Sequence, residues 1–298
     1  METEDRILFL DGAMGTQLQA NGLPAGASPE IFMMEHGNII EEIHAAYIDS
    51  GSDIIYTNTF GANAKKLTKT RYTVEEIVTT AVQLAKSAAK RKPGVRVALD
   101  IGPIGELLEP NGYLPFDDAY DLFAEQVIVG EKAGADLIVF ETMSDLYEVK
   151  AAILAAKEHT RLPVFVTMSF EADHRTFTGC TTASFALCAE GLGADAIGIN
   201  CSLGPDQILP IAEELAAMSN LPLIIKANAG LPDPVTNTYS INASGYAQML
   251  TAFTKLPVTY VGGCCGTTPQ FIRELKKTLP ETIDLSLRKQ RSGAYACT

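Results

Sequence analysis

The sequence predicts an α/β fold, a single-domain (β/α)8 barrel of the TIM type, and three observations carry that prediction. Short apolar, β-prone runs alternate with longer amphipathic stretches, the pattern of a parallel sheet with helical crossovers. Eight such runs fit into about 280 residues, the arithmetic of a barrel that typically needs ~250. The polar residues that interrupt the runs fall almost entirely at their C-terminal ends, the face on which this architecture carries function. A doubly wound open sheet is the competing arrangement. At 298 residues and 47% hydrophobic content the chain can bury one large core, and no break in composition divides it.

The elements follow in order. Residues 7–11 form the first strand, ending on Asp11, and 38–50 carry a helical period toward the second strand, 53–57, which ends on Thr57-Asn58. Thr73 stands ahead of Val74 with Glu76 three residues on, a capping-box pattern that opens a helix over 74–90. Strand 95–101 holds Asp100 near its end, and helix 116–133 leads to strand 137–141, where Leu137-Ile138-Val139-Phe140 stops at Glu141. Helix 145–159 precedes strand 164–170. Strand 196–201 ends in Asn200-Cys201, and Pro205 suits the first turn of helix 205–218. Strand 223–228 ends on Asn228, strand 259–264 on Cys264, and Pro269 opens helix 268–279. Residues 1–280 are assigned to the barrel. Residues 281–298 read as a polar C-terminal tail or linker, and the cluster Arg288-Lys289-Gln290-Arg291 fits a solvated segment.

Cys264 and Cys265 are adjacent, flanked by Gly262, Gly263 and Gly266, and Cys201 ends a different strand. Vicinal cysteines rarely pair with each other because the ring they would close strains the peptide between them. Neighbours on a strand face opposite sides, so both can reach one point only where the chain turns, and the glycines permit a turn there. Three sulfurs from two barrel strands would then offer zinc three ligands and leave a fourth position open, the mark of a working rather than a structural site. The alternative is that these cysteines, like Cys180 and Cys188, pack as small hydrophobes. Asp11-Gly12 and Asn228-Ala229-Gly230 have a similar alternative as turn chemistry. Glu141 is harder to explain structurally, since a carboxylate ending so apolar a strand needs a cationic or hydrogen-bonding partner, and a substrate ammonium would be one.

Composition excludes several classes. A net charge of −13 with no basic cluster interleaved with aromatics argues against nucleic acid. No apolar run reaches the length of a membrane span, and the acidic start Met1-Glu2-Thr3-Glu4-Asp5-Arg6 lacks the basic character of a signal peptide, so a cytoplasmic location and no membrane partner are expected. Six irregularly spaced cysteines make no disulfide framework, and a reducing compartment keeps them as thiols. Metal-assisted hydrolysis lacks support, because none of His36, His44, His159 or His174 falls at a strand end.

Six ordered blocks, Asp11-Gly12-Ala13-Met14-Gly15-Thr16, Thr57-Asn58-Thr59-Phe60-Gly61-Ala62-Asn63, Glu141-Thr142-Met143, Gly198-Ile199-Asn200-Cys201-Ser202, Asn228-Ala229-Gly230-Leu231-Pro232 and Gly262-Gly263-Cys264-Cys265-Gly266-Thr267-Thr268-Pro269, together resemble the homocysteine S-methyltransferase family. The likeness is strongest to the homocysteine-binding module of cobalamin-dependent methionine synthases and runs from about Leu8 to Leu279. It implies a zinc-dependent (β/α)8 barrel that methylates L-homocysteine to methionine. Carried over position by position, it implies Cys201, Cys264 and Cys265 as Zn2+ ligands acting in catalysis through the metal, with Asn228 as a displaceable fourth ligand. It further implies that Asp11, Thr57 and Glu141, with backbone amides near Gly12 and Ala13, hold the amino-acid end of the substrate. A free thiol with a pKa near ~8.5 is only a few per cent thiolate at neutral pH, and coordination removes that obstacle. Tyr56 and Phe271 depart from the family pattern, and both are expected at the pocket rim.

The Cys264-Cys265-Gly266 sequence is similar to the cobalamin-using members, which implies methylcobalamin as methyl donor. The family's corrinoid signature, an Asp-x-His-x-x-Gly loop, is absent, so the donor is expected on a corrinoid protein or on the corrinoid domain of a longer chain, with residues 291–298 reading as a linker toward a following module. S-methylmethionine or another onium compound is the alternative donor, and a non-catalytic zinc- or thiol-binding domain is the alternative of another class.

Overall fold

Strand β1 (Leu8–Phe9) pairs in parallel with β8 (Val258–Gly263), Leu8 against Tyr260 and Phe9 against Val261, and this pairing joins the first strand to the last. The strand order β1-β8-β7-β6-β5-β4-β3-β2 therefore belongs to a barrel rather than an open doubly wound sheet. The computed structural model describes residues 6–233, 238–282 and 287. Within them lie β2 (Ile54–Tyr56), β3 (Arg96–Ile101), β4 (Leu137–Met143), β5 (Val164–Met168), β6 (Ala196–Asn200) and β7 (Leu223–Ala227). The helices are α1 (Gly15–Ala20), α2 (Pro29–Glu35), α3 (Gly37–Ser50), α4 (Ala64–Leu67), α5 (Val74–Ala89), α6 (Phe116–Ala133), α7 (Leu146–His159), α8 (Thr182–Gly191), α9 (Pro205–Met218), α10 (Ala243–Leu250) and α11 (Pro269–Thr278).

The seam between β1 and β2 is closed without a full ladder. Asp53 N–H donates to Phe9 O at 2.7 Å, and its Oδ2 accepts from Phe9 N–H at 3.0 Å. Asp11 Oδ2 accepts from Tyr56 N–H at 2.7 Å, and Ser52 Oγ donates to Leu10 O at 3.2 Å. Side chains thus satisfy backbone groups that a longer pair of strands would satisfy itself.

Two apolar cores result from the period-two alternation of the strands. Leu8, Leu10, Ile54, Tyr56, Ala98, Leu137, Val139, Phe165, Ala196, Ile224 and Tyr260 fill the barrel interior. The alternate residues, such as Val97, Ile138, Val166 and Ile225, pack outward under the helices. Continuing the inward count toward the C-terminal ends gives Asp100, Glu141, Thr167, Asn200 and Lys226, so the barrel interior turns from apolar to polar at its top.

Sequence and structure differ mainly in the connections. Helices α1, α2 and α4 lie in the loops that follow β1 and β2, where the sequence carries no sustained period. Helices α8 and α10 are also unmarked by periodicity. The capping box at α5 is present, with Thr73 Oγ1 and Glu76 each bonding the other's backbone N–H. Strand β4 continues past Glu141 to Met143, with an irregularity after Phe140 and Thr142 at a φ of 60°. Of the tail assigned to 281–298, Glu281 O accepts from Ile7 N–H at 3.0 Å and Thr282 bridges Arg6, and most of the remainder lies outside the described residues. Among the described residues no helix is long and apolar enough to cross a membrane.

Candidate active site

The end of β6 and the turn after β8 bring three sulfurs together. Cys201 and Ser202 follow β6 with φ of 65° and 54°, a left-handed conformation uncommon outside glycine, which turns the chain sharply at the barrel rim. Cys201 N–H donates to Lys226 O at 3.1 Å, and Cys264 N–H to Ala227 O at 2.8 Å, so β7 fixes the backbone of both. Gly266, at a φ of 79°, closes the turn that follows the cysteine pair. Cys201 Sγ lies 3.8 Å from Cys265 Sγ, and the sulfurs of Cys201, Cys264 and Cys265 all lie within 4.8 Å of one another. Sulfurs bound tetrahedrally to zinc at about 2.3 Å stand about 3.8 Å apart, so this donor set fits zinc in both chemistry and spacing.

The three thiols share protons unequally. Hydrogen bonds from Cys264 and Cys265 hold the Cys201 thiol down to about 3. Their bonds to that same sulfur push Cys264 well above the usual thiol range and Cys265 up to about 11. The cluster thus gathers its negative charge on the Cys201 sulfur. Asn228 braces it: Oδ1 accepts from Cys265 N–H at 3.1 Å, and the side chain also hydrogen bonds to Cys201. The Tyr239 hydroxyl bonds Cys265, and burial together with that neighbouring sulfur lifts the phenol to about 12.

Below the sulfurs lies a cavity of about 450 Å³ whose wall includes Asp11, Gly12, Ala13, Thr57 and Glu141 together with all three cysteines. Asn228 is buried beside the cysteines and is not among the residues that line the cavity. Thr57 Oγ1 accepts from Asp100 N–H at 3.0 Å. Gly12 has no space for a side chain, since a Cβ there would stand 2.6 Å from Thr267 Oγ1 and 2.8 Å from the Tyr47 hydroxyl. Ala13 N–H is itself engaged by Thr267 Oγ1 at 3.1 Å, and that hydroxyl donates to Cys264 O at 2.7 Å, which ties the first loop to the cysteine turn. Tyr47 completes the tie by donating to Ala13 O at 2.8 Å.

The partner of Glu141 is one that sequence reasoning missed. Lys226, on β7, places Nζ 3.3 Å from Glu141 Oε2 and 3.3 Å from Asp11 Oδ1. Its ammonium also lies 3.5 Å from the centroid of the Tyr56 ring. Burial pushes the Asp11 carboxyl up to about 6 despite the opposing pull of Lys226. The available signal was a lone cation inside the apolar run Leu223-Ile224-Ile225-Lys226-Ala227. Asp100 and Tyr56 also line the cavity, whereas Phe271, expected at the rim, packs against Tyr246 with ring centroids 5.4 Å apart and is absent from the cavity wall. Cys180 and Cys188 are part-buried thiols away from the cluster, as packing residues would be.

Comparison with known proteins identifies the family and the fold. Residues 8–279 match the family profile described as homocysteine S-methyltransferase. The chain is 30% identical to a methionine synthase of Mycobacterium leprae, over 97% of its own length and 26% of the relative's. It is 31% identical to a methionine synthase of Mycobacterium tuberculosis, over 91% of its own length and 24% of the relative's. The chain therefore spans about a quarter of the length of these relatives. Among solved structures, the homocysteine methyltransferase MmuM of Escherichia coli in its oxidized form shares the fold with a TM-score of 0.81 at 23% identity, covering 93% of this chain and 97% of that one. Its metallated form gives a TM-score of 0.79 at 22% identity with the same coverage. The matched span, nearly the whole barrel with every cysteine of the cluster, establishes that the chain belongs to the homocysteine S-methyltransferase family of methyltransferases.

Proposed function

We propose that this chain transfers a methyl group to the thiol of L-homocysteine to give methionine, using Zn2+ held by Cys201, Cys264 and Cys265 and methylcobalamin delivered by a corrinoid protein or corrinoid domain. The observation that carries the reading is the convergence of three sulfurs at zinc-ligand spacing on a cavity floored by Asp11, Glu141 and Lys226. When bound, the metal would supply the Lewis acidity that lowers the proton affinity of the substrate thiol, so that its sulfur is anionic at neutral pH.

The chain's own residues do the rest. The cysteine sulfurs contribute negative charge beside the reacting sulfur, which favours its nucleophilicity. Glu141 presents a carboxylate oxygen not engaged by Lys226, a suitable acceptor for the substrate's ammonium. Gly12 keeps the first loop seated against Thr267 and Tyr47, where a side chain would not fit. Attack of the thiolate on the methyl carbon forms the new S–C bond as the bond to the donor breaks, the electron pair leaving with the donor. The Cys-Cys-Gly turn and the likeness to methionine synthases support methylcobalamin as that donor. Homocysteine-dependent demethylation of methylcobalamin, followed by its colour change with and without chelator, tests the reading. S-methylmethionine belongs in a parallel arm: turnover with it alone would replace the donor, and turnover with neither would favour a binding domain.

A further inference from the structure

The acidic groups of the cavity floor are unequally engaged. Asp11 is fully occupied by protein, Oδ1 meeting Lys226 Nζ at 3.3 Å and Oδ2 accepting from Tyr56 N–H at 2.7 Å. Glu141 gives one oxygen, Oε2, to the same Nζ at 3.3 Å. Lys226, with its side chain 3% exposed, therefore points its ammonium at two carboxylates and one aromatic face, and keeps no donor for a ligand. Asp100 differs. Its residue is 7% exposed, it lines the cavity, and its buried Oδ1 has no hydrogen-bond partner among the described residues. Three carboxyl groups face one ammonium, so the floor holds more acidic groups than cations.

We propose that Asp100 and the unengaged oxygen of Glu141 form the acceptor pair for the substrate's α-ammonium, while Lys226 is a positioning residue that holds Glu141 and withdraws Asp11 from that role. The inference rests on reading the site as one for an amino-acid thiol, and it names the residues that distinguish such a thiol from one without an amino group. A substrate carboxylate at Lys226 is disfavoured, because it would have to displace Asp11 or Glu141 at no gain in charge.

The groups facing Asp100 are Glu141 on β4, Lys226 on β7, Asp11 after β1, Glu30 on α2 and Tyr56 on β2. Burial first, and then Glu141, hold the Asp100 carboxyl well above the ordinary carboxylate range. That bias favours the protonated form of Asp100 in the substrate-free site. An arriving ammonium favours the carboxylate, and the proton passes to solvent buffer.

The test is calorimetric titration of the zinc-loaded full chain with L-homocysteine and with 4-sulfanylbutanoate, the same thiol acid without its amine, in two buffers of different ionisation heat. Proton release from the thiol is common to both ligands and cancels in the comparison. The expected result is tighter binding of L-homocysteine by about tenfold or more, with release of about one additional proton. In Asp100→Asn both differences should shrink toward zero while 4-sulfanylbutanoate binds as before. Lys226→Met should weaken L-homocysteine with zinc content maintained. Wild-type protein binding both thiols alike with equal proton release overturns this inference alone and needs no variant to fold. Binding of neither thiol overturns the reading of the site and the inference with it. Asp100→Asn retaining the additional proton overturns the assignment of Asp100, and tighter L-homocysteine binding by Lys226→Met overturns the positioning role.

Discussion

Cys265 accepts three tasks at once: its sulfur lies 3.8 Å from that of Cys201, its N–H is bonded to Asn228, and its thiol meets Tyr239. Cys265→Ala removes a sulfur but neither the turn nor the Asn228 contact, so the fold should survive while metal does not. Metal analysis after dialysis is expected to fall from about one zinc per chain to near none, with methyl transfer lost in parallel. Glu141→Ala should behave oppositely, keeping its zinc while the affinity for L-homocysteine drops by about tenfold or more, as for a charge-assisted hydrogen bond. Loss of zinc in that variant would show that Glu141 supports the metal site. The sulfurs were legible in the sequence because two adjacent cysteines among glycines at a strand end have few structural uses. Lys226 was not, since one cation in an apolar strand acquires meaning only when Asp11 and Glu141, from strands on other sides of the barrel, are seen to meet it. Asp100 was visible as a strand-end carboxyl, but its missing partner is a property of three dimensions.

At the scale of elements, the turn after β8 is held to the loop after β1 by the hydroxyls of Thr267 and Tyr47. Thr267 Oγ1 accepts from Ala13 N–H and donates to Cys264 O, so Thr267→Val keeps the volume while leaving the buried Ala13 N–H unpaired and Cys264 O with the Thr267 N–H alone. The expected cost is about 1–3 kcal/mol in urea unfolding, together with weaker zinc retention because the cysteine turn loses its brace. Unchanged stability would mean that other contacts position the turn. Long helices were legible for a related reason of regularity. Helices α6 and α9 occupy the residues their period predicts, since each shows one apolar stripe toward the barrel. Helix α8, with the sequence Thr182-Ala183-Ser184-Phe185-Ala186-Leu187-Cys188-Ala189-Glu190-Gly191, offers no such contrast, and α1, α2 and α4 are too short to establish a period.

Across the whole molecule, the buried acids and the one buried histidine set opposite dependences of stability on pH. Glu148, at the start of α7 with Oε1 accepting from Ile104 N–H at 2.6 Å, is raised from 4.5 to about 7, chiefly by burial. The folded chain then binds more protons than the unfolded chain between those values, so this contribution is complete below 4.5 and is lost as pH rises through about 7. His44, fully buried with neither ring nitrogen bonded among the described residues, is lowered by burial from 6.5 to about 4. Its unfolded form takes the proton first, so stability from this source grows as pH rises from 4 to 6.5 and is complete above that. The two slopes oppose each other in mildly acidic solution, and above 6.5 the falling slope of Glu148 continues without the histidine's compensation. Glu148→Gln keeps an oxygen for Ile104 N–H while removing the titration. Its stability relative to the parent should therefore improve as pH rises from 5 to 8, by on the order of 3 kcal/mol. Urea unfolding of both proteins at the two pH values, under one metal-free buffer system, reads this directly. Parallel stability at both pH values would mean that Glu148 is ionised in the fold, with a compensating cation supplied by Lys66, whose charge lowers it.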